Sequence, residues 1–196
     1  MKNLTIKDLV TIGIFTAIYF ITLAACTFTS FMLIPGVSFM FLPAIAAFVC
    51  GAIYLLLVVK VQKFGAITIL GTVIGVFFAV SGHFITALPT CIIFSVLADL
   101  IAGTKKYKSV TTNIISYIVY AFSLTGPILP MWLLKAQYVQ HLLNDNKTQE
   151  YVDARFIFIN TQSLILVAVG IIICAIIGGL IGKKLLKKHF EKAGVI

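Results

Sequence analysis

The chain has 196 residues, 61% of them hydrophobic and 11% charged, with a net charge of +9 and a mean hydropathy of +1.11. A soluble domain carries about 25% charged residues to keep its surface in water, so this composition excludes an ordinary water-facing globule. The positive charge is no nucleic-acid footprint either, because the lysines stand in short clusters between apolar runs.

A helix needs about 20 apolar residues to cross a hydrocarbon core of roughly 30 Å, and six segments offer that. The first runs from Leu9 to Leu33 and ends at Pro35 and Gly36. It is longer than the h-region of about 7–15 residues in a cleavable signal, so no leader is expected to be removed. The second, Val37 to Val59, stops at Lys60, with Lys63 just beyond. The third, Phe64 to Val80, is short and carries Gly65, Gly71 and Gly75. The fourth, Phe84 to Ile101, ends before Lys105, Lys106 and Lys108. Gly82, His83 and Pro89 make the third and fourth a tight, partly irregular hairpin, which survives at membrane depth only where protein or water satisfies the backbone. The fifth covers Thr112 to Leu134. Lys135 to Arg155 is too polar to span and is expected to form a loop with a short amphipathic helix. The sixth runs from Phe156 to Ile181, ahead of a basic tail.

Loop charge sets the orientation. The side holding the N-terminus collects twelve lysines, from Lys2 and Lys7 to Lys183, Lys184, Lys187, Lys188 and Lys192. The other side collects Lys135, Lys147 and Arg155, balanced by Asp145, Glu150 and Asp153. The expected fold is therefore an all-α integral membrane protein, a single domain over residues 1–196. It has six transmembrane helices and places both N- and C-termini in the cytoplasm, in a multi-pass arrangement in the cell membrane.

Cys26, Cys50, Cys91 and Cys174 each lie inside an apolar run without C-x-x-C spacing, so neither a metal site nor a disulfide framework is expected. They read as small packing residues. Asp99 is the only acidic residue inside a span; near the end of its helix it can reach water, backbone or Lys105, and structural anchoring is the simpler role than transport. Ser81 and His83 invite a catalytic reading, but sequence neighbours seldom reach nucleophile–base geometry and no G-x-S-x-G elbow surrounds them. No enzyme activity is expected.

Small residues recur at four-residue spacing at Gly13/Ala17, Gly71/Gly75, Gly75/Ala79, Ala98/Ala102 and Gly178/Gly182. Such faces admit close backbone approach, either within the bundle or, for Gly13 and Ala17, against another membrane subunit. Polar groups gather toward the outer half: Thr27, Thr29, Ser30 and Ser38, then His83 and Thr86. Trp132, Gln137, Tyr138, Asn160 and Gln162 follow. Trp and Tyr there also suit an interfacial belt, whereas amides away from water are costly unless compensated. Convergent polar groups in an apolar concavity are what a small-molecule site looks like. Substrate-binding candidates are thus His83, Trp132, Gln137, Tyr138, Asn160 and Gln162, beneath loops near Pro35 and Lys135–Arg155.

The opening Lys7-Asp8-Leu9-Val10-Thr11-Ile12-Gly13-Ile14-Phe15-Thr16-Ala17 carries a family likeness. So do Ala98-Asp99-Leu100-Ile101-Ala102-Gly103, and Gly178-Gly179 followed by Lys187-Lys188-His189-Phe190. Over nearly its full length the chain resembles the substrate-binding (S) components of energy-coupling factor transporters, in particular the Trep_Strep family. The resemblance implies an S-component-like bundle that captures a small micronutrient outside the cell. Its implied partners are a transmembrane coupling subunit and two cytoplasmic ATPases, so that ATP is used by the partners and the chain needs no cofactor or metal. It also implies docking through a small-residue motif in the first helix; Gly13 and Ala17 occupy the positions where the family has two alanines. An autonomous transporter or channel is the alternative, although the polar relays or broken-helix repeats it needs are not clear.

Overall fold

The computed structural model describes residues 3–190, and of residues 188–190 the backbone only. Lys2, Lys192 and the side chains of Lys188 and His189, all part of the sequence reading, lie outside the described residues. Every described regular element is helical.

Helix α1 (Ile6–Leu33) opens on a capping box, in which Thr5 and Asp8 satisfy each other's free backbone N–H groups. Its buried residues, Ile12, Thr16, Tyr19, Leu23, Cys26 and Ser30, recur every three or four positions and form one stripe. The other face is equally apolar yet exposed, through Ile14, Ile18, Ile21 and Phe28. Asp8 pairs with Lys63 at 2.5 Å, which ties the start of α1 to the turn after α3.

The second apolar segment is two helices, α2 (Ser38–Val49) and α3 (Gly51–Val61), bent by 47° at Cys50. Helix α3 stops at Gln62, in the left-handed region. Gly65, at φ 101°, then starts α4 (Ala66–Val80). This is one of the few turns here that a side chain would strain. Helix α5 (Ala87–Thr104) returns antiparallel to α4. A Cβ at Gly71 would overlap the Ser95 side chain, and one at Gly75 would lie 2.8 Å from Cys91 Cβ. The Gly71/Gly75 face is therefore internal packing.

Helix α6 (Val110–Ala121) is capped by Ser109 and continues as a 3-10 turn over Phe122–Thr125. After Gly126 and Pro127 come the short α7 (Pro130–Leu133), then α8 (Lys135–Asn144) and α9 (Gln149–Phe156). The expected fifth span is thus broken, because Gly126, Pro127 and Pro130 interrupt its apolar run. The polar segment forms two short helices where one was expected. Helix α10 (Thr161–Phe190) closes the bundle against α2, α3 and α6. Its Gly178 and Gly182 let its backbone press on the α2–α3 bend, so this small face also serves internal packing.

Three helices, Ile6–Leu33, Ala87–Thr104 and Thr161–Lys187, are long and apolar enough to cross a membrane, and the bent α2–α3 pair makes a fourth candidate. Ala66–Val80 and Val110–Thr125 are apolar but shorter. The centre of the bundle is a cluster of fully buried tyrosines. Tyr54 stands 4.8 Å from Tyr117 and 5.0 Å from Tyr120, and Tyr19 meets Tyr120 edge-on at 5.8 Å. The Tyr54 and Ser116 hydroxyls lie 2.6 Å apart, and Tyr117 donates to the Ala47 carbonyl. All four cysteines are free, and three of them are buried.

Candidate functional site

The Asp8–Lys63 pair marks one end of the bundle, and a cavity of about 190 Å³ lies at the other. Its walls come from the last turns of α1, the first turns of α2, the end of α4 and the 3-10 turn, and α8 and α9 lie over it. Most of the lining is apolar, with Phe31, Phe39, Leu42 and Phe78 among the walls. The polar groups reaching it are Thr27, Ser30, Ser38, His83, Tyr138 and Arg155. Two of these hydroxyls donate back into their own helix, Thr27 to the Leu23 carbonyl at 2.9 Å and Ser30 to that of Cys26 at 2.6 Å. That leaves their oxygen lone pairs for anything bound.

The structure brings two of the six expected site residues into this cavity. Tyr138 is buried between Phe84 and Phe156, at 5.5 and 6.3 Å between rings. Its burial raises the phenol pKa, and Arg155 offsets part of that rise. His83 sits at the rim with its ring 4.9 Å from that of Phe78. Although the residue as a whole is exposed, the apolar surroundings desolvate the imidazole and lower its pKa, with His141 adding in the same direction. Ser81 donates to the Phe77 carbonyl at 2.5 Å, which occupies its proton away from His83.

The other four lie elsewhere. Trp132 donates its indole N–H to the Asn160 carbonyl at 2.9 Å and to the Ser163 hydroxyl at 3.1 Å. It lines a separate, wholly apolar crevice with Phe94, Phe122 and Ile171. Asn160 accepts from the Ser163 N–H at 2.9 Å, a cap for the first turn of α10. Asn160 is exposed, so the burial cost expected from the sequence does not arise. Gln137 and Gln162 are exposed.

Arg155 is what the sequence reading missed at this site. It was counted among loop charges balanced by neighbouring acids. Instead its guanidinium carbon lies 4.0 Å above the Phe39 ring, and Nη1 donates to the Tyr151 hydroxyl at 2.8 Å. Its Nε is buried without a hydrogen-bond partner. The signal was available, because Arg155 is the only arginine among fifteen basic residues.

Gly13 and Ala17 are exposed, and a Cβ on Gly13 would meet nothing within 4 Å. Among the described residues, no three His, Cys, Asp or Glu side chains are grouped to hold a metal ion.

The lowered His83 pKa has a testable consequence. The folded protein resists a proton that the unfolded chain accepts near pH 6.5, so stability is lost as pH falls below that value. The loss is complete below the folded-state pKa. Thermal midpoints measured from pH 7.5 down to 5 should fall less steeply for His83→Gln than for the parent; parallel profiles would remove His83 from the site's pH response.

Long apolar helices with exposed apolar flanks and a loop-covered cavity define a helical integral membrane protein. The chain belongs to the Trep_Strep family, described as a hypothetical bacterial integral membrane protein, whose model matches residues 6–192. No curated protein and no solved structure matches it.

Proposed function

We propose that the chain is the membrane-embedded substrate-binding subunit of an energy-coupling factor transporter, which captures a small nutrient outside the cell for ATP-driven uptake. In this reading six segments span the cell membrane with both termini in the cytoplasm. Helices α2 and α3 together form one span, as do α6 and the 3-10 turn. The cavity then opens outward, and the chain itself catalyses nothing and carries no cofactor. A transmembrane coupling subunit and cytoplasmic ATPases supply the energy.

The observation that carries the proposal is a cavity at one end of a bundle whose centre is packed with fully buried tyrosines, Tyr19, Tyr54, Tyr117 and Tyr120. A concavity at the end of a packed bundle suits a receptacle better than a conduit. A second support is the unobstructed Gly13/Ala17 face of α1, which no other described residue covers.

Leucine at either position should leave the monomer folded, since its side chain enters open space. It should also reduce recovery of the coupling subunit and ATPases with the tagged protein, because bulk there blocks close helix approach. Equal recovery from parent and both variants would remove docking from this face. Failure of the parent to recover such partners, or sustained substrate flux through the purified chain alone in liposomes, would overturn the proposal itself.

A further inference from the structure

We infer that the cavity takes a small organic anion, a carboxylate on a flat apolar body, with Arg155 gripping its charge. The inference rests on the capture-site reading above and adds the chemistry of what is captured.

The charge argument is the first leg. Among the described residues, Arg155 is the one formally charged side chain in the cavity lining, and no Asp or Glu joins it there. Among the described residues the ion pairs are Asp8–Lys63 and His141–Asp145, so Arg155 has no carboxylate partner of its own. A partly buried cation without a counterion carries a desolvation cost, and an anionic ligand offsets it.

Geometry is the second leg. Stacking at 4.0 Å on Phe39 and the 2.8 Å bond from Nη1 to Tyr151 fix the plane of the guanidinium. Within that plane the Nε–H is buried and unbonded. Buried donors are nearly always paired, so one left open beside a cavity points to an acceptor that arrives with the ligand. A planar fork with a free edge matches a carboxylate, which arginine binds through two parallel N–H···O bonds.

The walls set the rest of the molecule. Phe31, Phe39 and Phe78 present flat apolar surface, and Leu42 and Pro43 add to it. The volume of about 190 Å³ lies below the roughly 300–1,000 Å³ of drug-sized pockets, so the body is correspondingly small.

The test uses the full chain in phosphatidylcholine nanodiscs with three probes that share one ring: benzoate, benzylamine and benzyl alcohol. Binding is followed by calorimetry. Benzoate should bind at least about tenfold more tightly than either other probe, the effect expected of one charge-assisted hydrogen bond or more. Arg155→Gln should abolish that preference, and Arg155→Lys should keep it in weaker form. Equal binding of the three probes, binding of none, or a benzoate preference that survives in Arg155→Gln overturns the inference. Should Arg155→Gln fail to fold, the ranking of probes on the parent protein decides alone.

A lipid headgroup could offer the same anionic chemistry, so the titration is repeated with phosphatidylglycerol in the nanodisc. Unchanged benzoate affinity supports a soluble ligand; competitive loss assigns the site to lipid and overturns it. The outcome is separable from the transporter reading. Recovery of coupling partners without benzoate preference defeats the anion class alone, and the converse result defeats the transporter assignment alone.

Discussion

Asp99→Ala is expected to lower the thermal midpoint of the detergent-solubilised protein by about 10 °C. The Asp99 carboxyl is fully buried on α5 and accepts four hydrogen bonds. Three converge on Oδ2: from the Gly65 N–H at 2.8 Å, the Thr68 N–H at 3.1 Å and the Thr68 hydroxyl at 2.9 Å. The fourth comes from Tyr107 to Oδ1 at 2.9 Å. Gly65 and Thr68 stand at the start of α4, where backbone N–H groups have no partner within the helix. Alanine would leave two partly buried N–H groups and the Thr68 hydroxyl without this acceptor, and Tyr107 with only the Asp99 carbonyl at 3.3 Å. Leaving a buried donor unsatisfied costs about 1–3 kcal/mol, and at about 2–4 °C per kcal/mol for a chain of this size the loss of several lowers the midpoint accordingly. Asp99→Asn keeps one acceptor oxygen and should lose about half as much. Size-exclusion profiles after stepwise heating measure this; a parent-like midpoint for Asp99→Ala would refute the cap.

Gly178→Val is expected to have a comparable effect by a different route. A Cβ at Gly178 would lie 2.5 Å from the Phe48 carbonyl oxygen and 2.6 Å from that of Ala47. Both neighbours are backbone at the α2–α3 bend, so neither can swing away as a side chain would. Helix α10 would have to lift off α2 and α3, opening the packing around Ala47, Leu55 and Ala175, all fully buried. Overpacking of this sort costs about 1–3 kcal/mol and more where backbone must move, so the folded yield should drop sharply. Gly170→Ala is the control, because its Cβ would sit at an ordinary 3.7 Å from Ala44. If Gly178→Val and Gly170→Ala purify and melt alike, the close approach is not what holds α10 in place.

The gross layout was legible because lysines, glycines and prolines punctuate the apolar runs. Helices α1, α4, α5 and α10 begin or end within a few residues of those marks. The bend at Cys50 did carry a mark, Gly51, but a single glycine inside an apolar run does not by itself distinguish a bend from close helix packing. Gly126, Pro127 and Pro130 did carry a signal, but a hydropathy reading runs straight through them. At the site, the outer polar residues Thr27, Ser30, Ser38, His83 and Tyr138 stood out from apolar surroundings, and the structure gathers them around one cavity. Asn160 shows the limit of that reasoning: the amide expected away from water is exposed and caps the next helical turn, which sequence alone does not distinguish from a ligand contact. Arg155 shows the reverse, because counting it against nearby acids ignores which way the side chain folds.

The bond from Trp132 to the first turn of α10 has a practical consequence. The chain contains one tryptophan, and its indole bridges α7, at the end of the broken fifth segment, to the Asn160–Ser163 turn. That single chromophore sits where the covering segment joins the bundle. The emission wavelength of the unlabelled protein therefore reads out the polarity at this junction between the short helices and the bundle.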